Sequence, residues 1–246
     1  MKRAVIFSGG AFEKPDWVTL PKDAMILCAD SGLRHARVLG ISPDWVLGDF
    51  DSSSEQPEGE SVLRYPPEKD DTDTMLAVKQ ALSVGAEEIQ IYGGLGGRFD
   101  HSIANVQTLR YLSEHGAVGS LCDAQNWMTV QTAGTVRQYP RRNGWYFSLL
   151  SLSDTCTGVT ITGAKYCLQN GIFHANFPLG ISNEIVAEQA EISLQTGTLL
   201  VLYTKDAQKM QESEPLDSCI LFFVERFRRY ATLPACDKGT YRLPCQ

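Results

Sequence analysis

The chain lacks any long apolar run. Its N-terminus, MKRAVIFSGG, carries two basic residues, but its apolar run AVIF breaks after four positions, too few for the core of a secretory signal or a membrane span. A cytoplasmic location is the expectation that follows. Basic clusters are also missing until RFRR near the C-terminus, and the formal net charge is -7. A protein that tracks a nucleic-acid backbone needs the opposite balance, so that class is excluded. The seven cysteines (Cys28, Cys122, Cys156, Cys167, Cys219, Cys236 and Cys245) are an odd number and show neither CxxC nor other zinc-ligand spacing. They read as reduced thiols. No Lys-Ser or Lys-Thr follows the glycine-rich GGLGGRFDH, so it is not a Walker A loop, and Phe99 stands at the third glycine position of GxGxxG.

What is present is an ordinary globular composition: 43% hydrophobic and 21% charged residues over 246 positions, enough to bury a substantial core. Along the chain the pattern changes once. From Met1 to about residue 127, short apolar runs alternate with segments of helical period. AVIF, MILCA (Met25–Ala29), WVL (Trp45–Leu47) and IQIY (Ile89–Tyr92) read as buried strands. Between them Leu33, Ala36 and Leu39, then Met75, Val78 and Leu82, then Ile103, Val106 and Leu109 each share a helical face. Such alternation predicts an α/β unit over 1–127 with a mostly parallel sheet covered on both faces.

From 128 to 205 the runs alternate and are rich in Thr, Val, Tyr and Leu, separated by Gly, Asn and Pro. This predicts an all-β sandwich or barrel, in which TITGAKY is either one strand with a glycine bulge or two short strands joined by a turn. The remaining residues, 206–246, form a polar stretch, an apolar CILFFVERFRRY and a proline-containing end. They read as a C-terminal extension of unknown role.

In open parallel sheets, ligands bind beyond the carboxyl ends of the strands. The residues there are acidic: Asp30 after MILCA, Asp49 and Asp51 in GDFDS after WVL, Asp70, Asp71 and Asp73 in KDDTD, and Asp100 in GGLGGRFDH after IQIY. Carboxylates crowded on one rim repel one another unless a cation neutralises them, and Mg²⁺ is the hard cation that bridges carboxylates to substrate phosphates. Each group also has a plainer reading. Asp70 or Asp71 suits a helix N-cap, Asp49 and Asp51 a turn, GGLGG a tight loop, and His101 the start of a helix. On the functional reading, Gly9 and Gly10 of SGG, together with Gly94 and Gly97, let backbone N–H groups approach a phosphate, and Arg98 offers a fixed cationic fork.

ADSG, GDFDS, KDDTD and GGLGGRFDH, in that order and at those intervals, followed by TGAKYCL and GISNE, resemble the thiamine pyrophosphokinase family over roughly residues 1–205. The resemblance implies a Rossmann-like N-terminal domain, a β-sandwich C-terminal domain binding thiamine, and a homodimer with the active site between subunits. Its implied chemistry is transfer of the pyrophosphoryl group of ATP to the thiamine hydroxyl, giving thiamine diphosphate and AMP. Asp49, Asp51, Asp73 and Asp100 would hold Mg²⁺. Asp30, Gly9, Gly10, Gly94, Gly97 and Arg98 would surround ATP, with Lys69 and Arg98 stabilising phosphate charge. Asp70, His101, Ser182 and Asn183 would face the substrate. Either Asp73 or Asp100 would accept the hydroxyl proton or orient the hydroxyl. Tyr166 departs from the family pattern, which often carries tryptophan in TGxKW. Two other readings remain open: a related transferase acting on another heterocyclic alcohol, and a nucleotide or thiamine sensor without turnover.

Overall fold

A computed structural model describes residues 1–12, 15–50, 57–59, 61–66, 68 and 70–205. Six strands run parallel: β1 (Arg3–Phe7), β2 (Met25–Ala29), β3 (Trp45–Gly48), β4 (Val62–Arg64), β5 (Glu88–Tyr92) and β6 (Val118–Cys122), in the spatial order β4-β3-β2-β1-β5-β6. Three helices accompany them: α1 (Leu33–Val38), α2 (Asp73–Ser83) and α3 (Phe99–Glu114).

The sheet does not stop at β6. Strand β7 (Asn126–Thr132) pairs antiparallel with β6, and β14 (Thr198–Lys205), β9 (Trp145–Ser151) and β12 (Gly180–Asn183) extend it to ten strands. The change of pattern expected near residue 127 therefore falls inside β7. Parallel pairing gives way to antiparallel pairing there without breaking the sheet. A second, four-stranded sheet is made of β8 (Val136–Pro140), β10 (Thr155–Thr162), β11 (Leu168–His174) and β13 (Gln189–Ser193). The fold is a mixed sheet with a separate sheet packed against part of it.

Each face of the long sheet carries its own core, and both cores cross the 127/128 position. On one face, Leu76, Ala77, Val78 and Ala81 of α2 and Leu109 and Leu112 of α3 join Ile6, Leu27, Leu121, Met128 and Leu200. The other face joins Phe7, Cys28 and Tyr92 to Tyr139, Phe147, Val159, Ile192 and Tyr203, so the second sheet and α1 cover it. Gln131, fully buried, ties the layers together: its Nε2 donates to the carbonyls of Ile192 and Thr135, and its Oε1 accepts from the Tyr139 hydroxyl at 3.0 Å. A buried amide satisfied on both ends fixes the register between sheets, because any slip would orphan polar atoms.

One helix-face expectation needs correcting. Ile103 is 47% exposed, while Ser102, Asn105 and Thr108 of α3 are buried instead. Asn105 is inside because its Nδ2 donates to the Gly94 carbonyl at 2.8 Å, a bond that a 3.6-residue apolar count does not register. The ambiguous TITGAKY is a strand that ends at Thr162, turns at Gly163 with φ +73°, and makes a single bridge from Ala164 to Ile185.

Gly32, just before α1, is packed so closely on β1 that a Cβ there would lie 1.9 Å from the Phe7 carbonyl oxygen. The expected result for Gly32→Ala is a loss of about 1–3 kcal/mol, the usual range for forcing extra volume into packed structure, read as a lower urea midpoint with unchanged slope. An unchanged midpoint would show that α1 is free to lift off β1.

Candidate functional site

The strand order reverses between β1 and β5, whose outgoing turns part to either side of the sheet. A cleft of about 760 Å³ opens there, at the carboxyl ends of the strands. Ser8 to Gly10 after β1 form one wall, Gly93 to Arg98 after β5 the second, and Asp30 with α1 the third. The two turns are bonded to each other: the Ser8 N–H donates to Tyr92 O at 2.8 Å and the Gly10 N–H to Gly93 O at 2.7 Å. Both glycines are required. A Cβ at Gly10 would sit 2.4 Å from Gly93 O, and Gly93 itself has φ +65° with its Cβ direction blocked by Ser8 O.

Two helices point their N-termini at the cleft. Thr72 caps α2, its Oγ1 accepting from the Met75 N–H at 3.1 Å, and Thr72, Asp73 and Thr74 line the opening. Arg98 occupies the cap position of α3, and His101 of its first turn lines the same opening. The unsatisfied N–H groups of a helix start carry partial positive charge, so converging helix starts and glycine turns suit an anion such as a phosphate chain.

The structure thus gathers Gly9, Gly10, Asp30, Asp73, Gly94, Gly97, Arg98 and His101 around one opening. Asp49 is half-buried just beyond β3, outside the lining, although neighbouring Gly48 packs against Asp30. Asp100 turns outward: Arg98 grips it through Nη2 at 2.6 Å and Nε at 3.2 Å, and both side chains are exposed. That guanidinium holds the Asp100 carboxyl below its ordinary range, and the Asp100 carboxylate raises Arg98 in turn. The capping role open to Asp70 or Asp71 falls to Thr72 instead. Asp71 pairs with Lys79 at 2.6 Å, and Asp70 is exposed away from the lining. Asp51 and Lys69 lie outside the described residues.

A cation test gives a mixed answer. Among the described residues, no three carboxylate, histidine or cysteine side chains gather into a metal-holding group. Yet Asp30 Oδ1 is buried beside the cleft and accepts no hydrogen bond from the described residues, on a backbone held at φ +46°. A buried carboxylate oxygen without a donor fits a cation. Mg²⁺ in nucleotide sites takes only one or two protein carboxylates, its other ligands being phosphates and water, so Asp30 and Asp73 on the lining fit it.

Ser182 and Asn183 are elsewhere. Among the described residues, none beyond Asn105 lines the cleft. Strand β12 lies five inter-strand steps from β5, roughly 24 Å at the usual strand spacing. Ser182 is exposed with φ +58°, its N–H donating to Ser148 Oγ. Asn183 is buried and its amide is spent on backbone: Oδ1 accepts from the N–H groups of Tyr166 and Glu184, and Nδ2 donates to Tyr166 O. Its position therefore holds the Tyr166 turn, which leaves the Tyr166 ring 62% exposed. Sequence reasoning missed Arg34, His35, Thr72 and Asn105 in the lining. For Arg34 and His35 the signal was there, one residue after ADSG.

Comparison with known proteins decides the family. Residues 18–118 match the description "Thiamin pyrophosphokinase, catalytic domain", and residues 135–199 match "Thiamin pyrophosphokinase, vitamin B1 binding domain". The chain belongs to the thiamine pyrophosphokinase family. Its members are enzymes. Thiamine pyrophosphokinase of Bacillus subtilis is 33% identical over 173 residues, covering 68% of this chain and 81% of that protein. A crystal structure of the Bacillus subtilis protein superposes with TM-score 0.76 at 28% identity, over 83% of this chain and all of that one. A family protein from Enterococcus faecalis gives 0.72 at 30%, with the same 83% and full coverage.

Two measurements follow from this geometry. Arg98→Ala should return the Asp100 carboxyl upward toward the ordinary aspartate range, read by carboxyl NMR titration, since the guanidinium is the largest cause of its depression; an unmoved midpoint would show that the pair does not persist in solution. Asn183→Ala should cost about 1–3 kcal/mol by leaving backbone groups at Tyr166 and Glu184 unsatisfied, read by urea unfolding. A neutral result would mean that the Tyr166 turn holds itself.

Proposed function

We propose that this chain transfers the pyrophosphoryl group of ATP to the primary hydroxyl of thiamine, releasing AMP and thiamine diphosphate. What supports it is the convergence of two glycine turns, two helix N-termini, Arg98 and the Asp30 and Asp73 carboxylates on one cleft at the sheet's switch point. On this reading the parallel half is a Rossmann-like nucleotide unit, and the triphosphate lies along the turns Ser8–Gly10 and Gly93–Gly97. Helix starts and the Arg98 fork face its oxygens.

Displacement at phosphorus is mostly positioning and electrostatics. Mg²⁺ would be held by Asp73 and Asp30 on the lining, with Asp49, Asp51 and Asp100 as further carboxylates of the rim. When bound, it neutralises phosphate charge. Asp73, at the first position of α2 and facing the opening, orients the thiamine hydroxyl and accepts its proton; Asp100 is engaged by Arg98. The acidic rim also suits the cationic thiazolium ring. Lys69 joins Arg98 in the proposal as a phosphate cation.

One chain leaves its thiamine segment far from its own cleft. The reading therefore includes a homodimer, in which Ser182 and the Tyr166 turn of one copy approach the cleft of the other. Exposed Tyr166, Phe177 and Val186 around that segment are consistent with such a contact. Among the described residues no helix is long and apolar enough to cross a membrane, and the reading sets the reaction in the cytoplasm, where ATP and Mg²⁺ are available.

The test is incubation of the purified protein with ATP, Mg²⁺ and thiamine. AMP and thiamine diphosphate are expected in equal amounts, and Asp73→Asn should slow their release on the order of a thousandfold. AMP without thiamine diphosphate would move the substrate to another alcohol. Bound ATP with no AMP would reduce the protein to a sensor.

A further inference from the structure

Consecutive residues of α1 hold consecutive carbonyls of the β1 turn. Arg34 Nη2 donates to Gly9 O at 2.8 Å, and His35 Nε2 lies 3.1 Å from Gly10 O. His35 is 5% exposed and reaches both walls of the cleft at once: a Cβ on Gly93 would lie 3.2 Å from its Cδ2 and 3.3 Å from its Nε2. Its ring stacks on Phe12 with centroids 4.5 Å apart, and Phe12 in turn meets Phe7 and Trp17, both of which pack on Tyr92 at the end of β5. An imidazole is thus wedged between the two turns and locked there by an aromatic cluster rooted in both strands.

We infer that His35 is a positioning residue for the nucleotide, a neutral imidazole whose Nε2–H, donated to the Gly10 carbonyl, fixes the Ser8–Gly10 turn in the shape that receives the phosphate chain. A carbonyl accepts and never donates, so a 3.1 Å approach requires the proton on Nε2. Burial is the largest influence on this ring and disfavours its charged form, Arg34 beside it acts in the same direction, and the backbone hydrogen bonds at Gly10 and Ser8 oppose them without reversing the net downward shift. The Gly9–Gly10 peptide unit is held at both ends, its C=O by Arg34 and its N–H by Gly93 O, and His35 holds the C=O of the next unit, so the backbone is pinned on both sides of Gly10. Gly9 and Gly10 have no side chains to define their own conformation. Without an outside brace, the turn would have to be ordered again by each arriving nucleotide, which lowers affinity.

The inference rests on the reading of the cleft as an ATP site, and the experiment separates the two. On the full chain, steady-state constants for ATP and for thiamine, and Mg-ATP binding by calorimetry, are compared among wild type, His35→Phe, His35→Asn and His35→Gln. His35→Phe keeps the ring and its stack without a donor. His35→Asn has an amide too short to reach Gly10 O, whereas the His35→Gln amide extends about as far as Nε2. Loss of the hydrogen bond should raise the ATP KM and Kd about tenfold in the first two and leave the thiamine KM within about twofold. His35→Gln should recover most of the affinity. Equal rises in both KM values, a wild-type ATP constant in His35→Asn, or no recovery in His35→Gln would overturn the assignment. If His35→Phe fails to fold, the contrast between Asn and Gln decides alone. Long-range ¹H–¹⁵N spectra of the wild-type ring should show a protonated Nε2 and a bare Nδ1 at neutral pH; the opposite tautomer or a doubly protonated ring would also overturn it. A wild type that binds no Mg-ATP while showing that tautomer would defeat the reading of the cleft and leave His35 a brace for some other ligand.

Discussion

Everything at the cleft depends on how closely the turns after β1 and β5 approach each other. Neighbouring parallel strands lie about 5 Å apart, and here the pairing continues past their ends into loop backbone, through Ser8 to Tyr92 and Gly10 to Gly93. Side chains would prevent it. Gly10, Gly93 and Gly94 each have a neighbour where a Cβ would go, and the polar atoms released by the tight turn are taken up by Arg34, His35 and Asn105. The result is a rigid floor made of backbone, with the variable chemistry of aspartate and arginine set around its edge.

The second constraint is that this floor belongs to a sheet extending well beyond it. Antiparallel strands β7, β14, β9 and β12 continue the parallel ones, and the cores on both faces run across the junction. The half described as thiamin-binding in the family is therefore not hung on a linker. It is stiffly related to the cleft, through Gln131 and the shared hydrogen-bond ladder, and that stiffness is why residues from one chain's far edge do not fold back onto its own opening.

Much of this could be read from residues alone. MILCA coincides with β2 to the residue, and AVIF differs from β1 only by Arg3, because buried parallel strands are bounded by charged and turn residues that mark their ends. Strand β4 went unread, since VLR sits in a polar stretch and is only half-buried at the sheet's edge. Periodicity erred on α3, where buried Ser102, Asn105 and Thr108 serve close packing and the Gly94 carbonyl in place of oil-like contact. At the site, the carboxylates after strands include Asp30 and Asp73, which the fold brings to the lining of one cleft. Sequence could not distinguish Asp73, which faces the opening, from Asp100, whose geometry is set by an arginine two residues away. Asn183 shows the same limit: its residue type announces polar contacts, and only coordinates reveal that those contacts are with Tyr166 and Glu184 backbone.

The place of β14 in the sheet has a consequence for how the molecule comes into being. This strand is among the last of the described residues in sequence, yet it sits between β7 and β9, paired along its length on both sides. Until Thr198 to Lys205 have left the ribosome, β7 exposes a bare edge and β9 and β12 have no bridge to the parallel strands. A nascent chain holding only the parallel half thus carries an open sheet border, a natural target for mispairing or for chaperone capture. Insertion of β14 is a closing step, in which a late strand slides into a slot prepared by earlier ones.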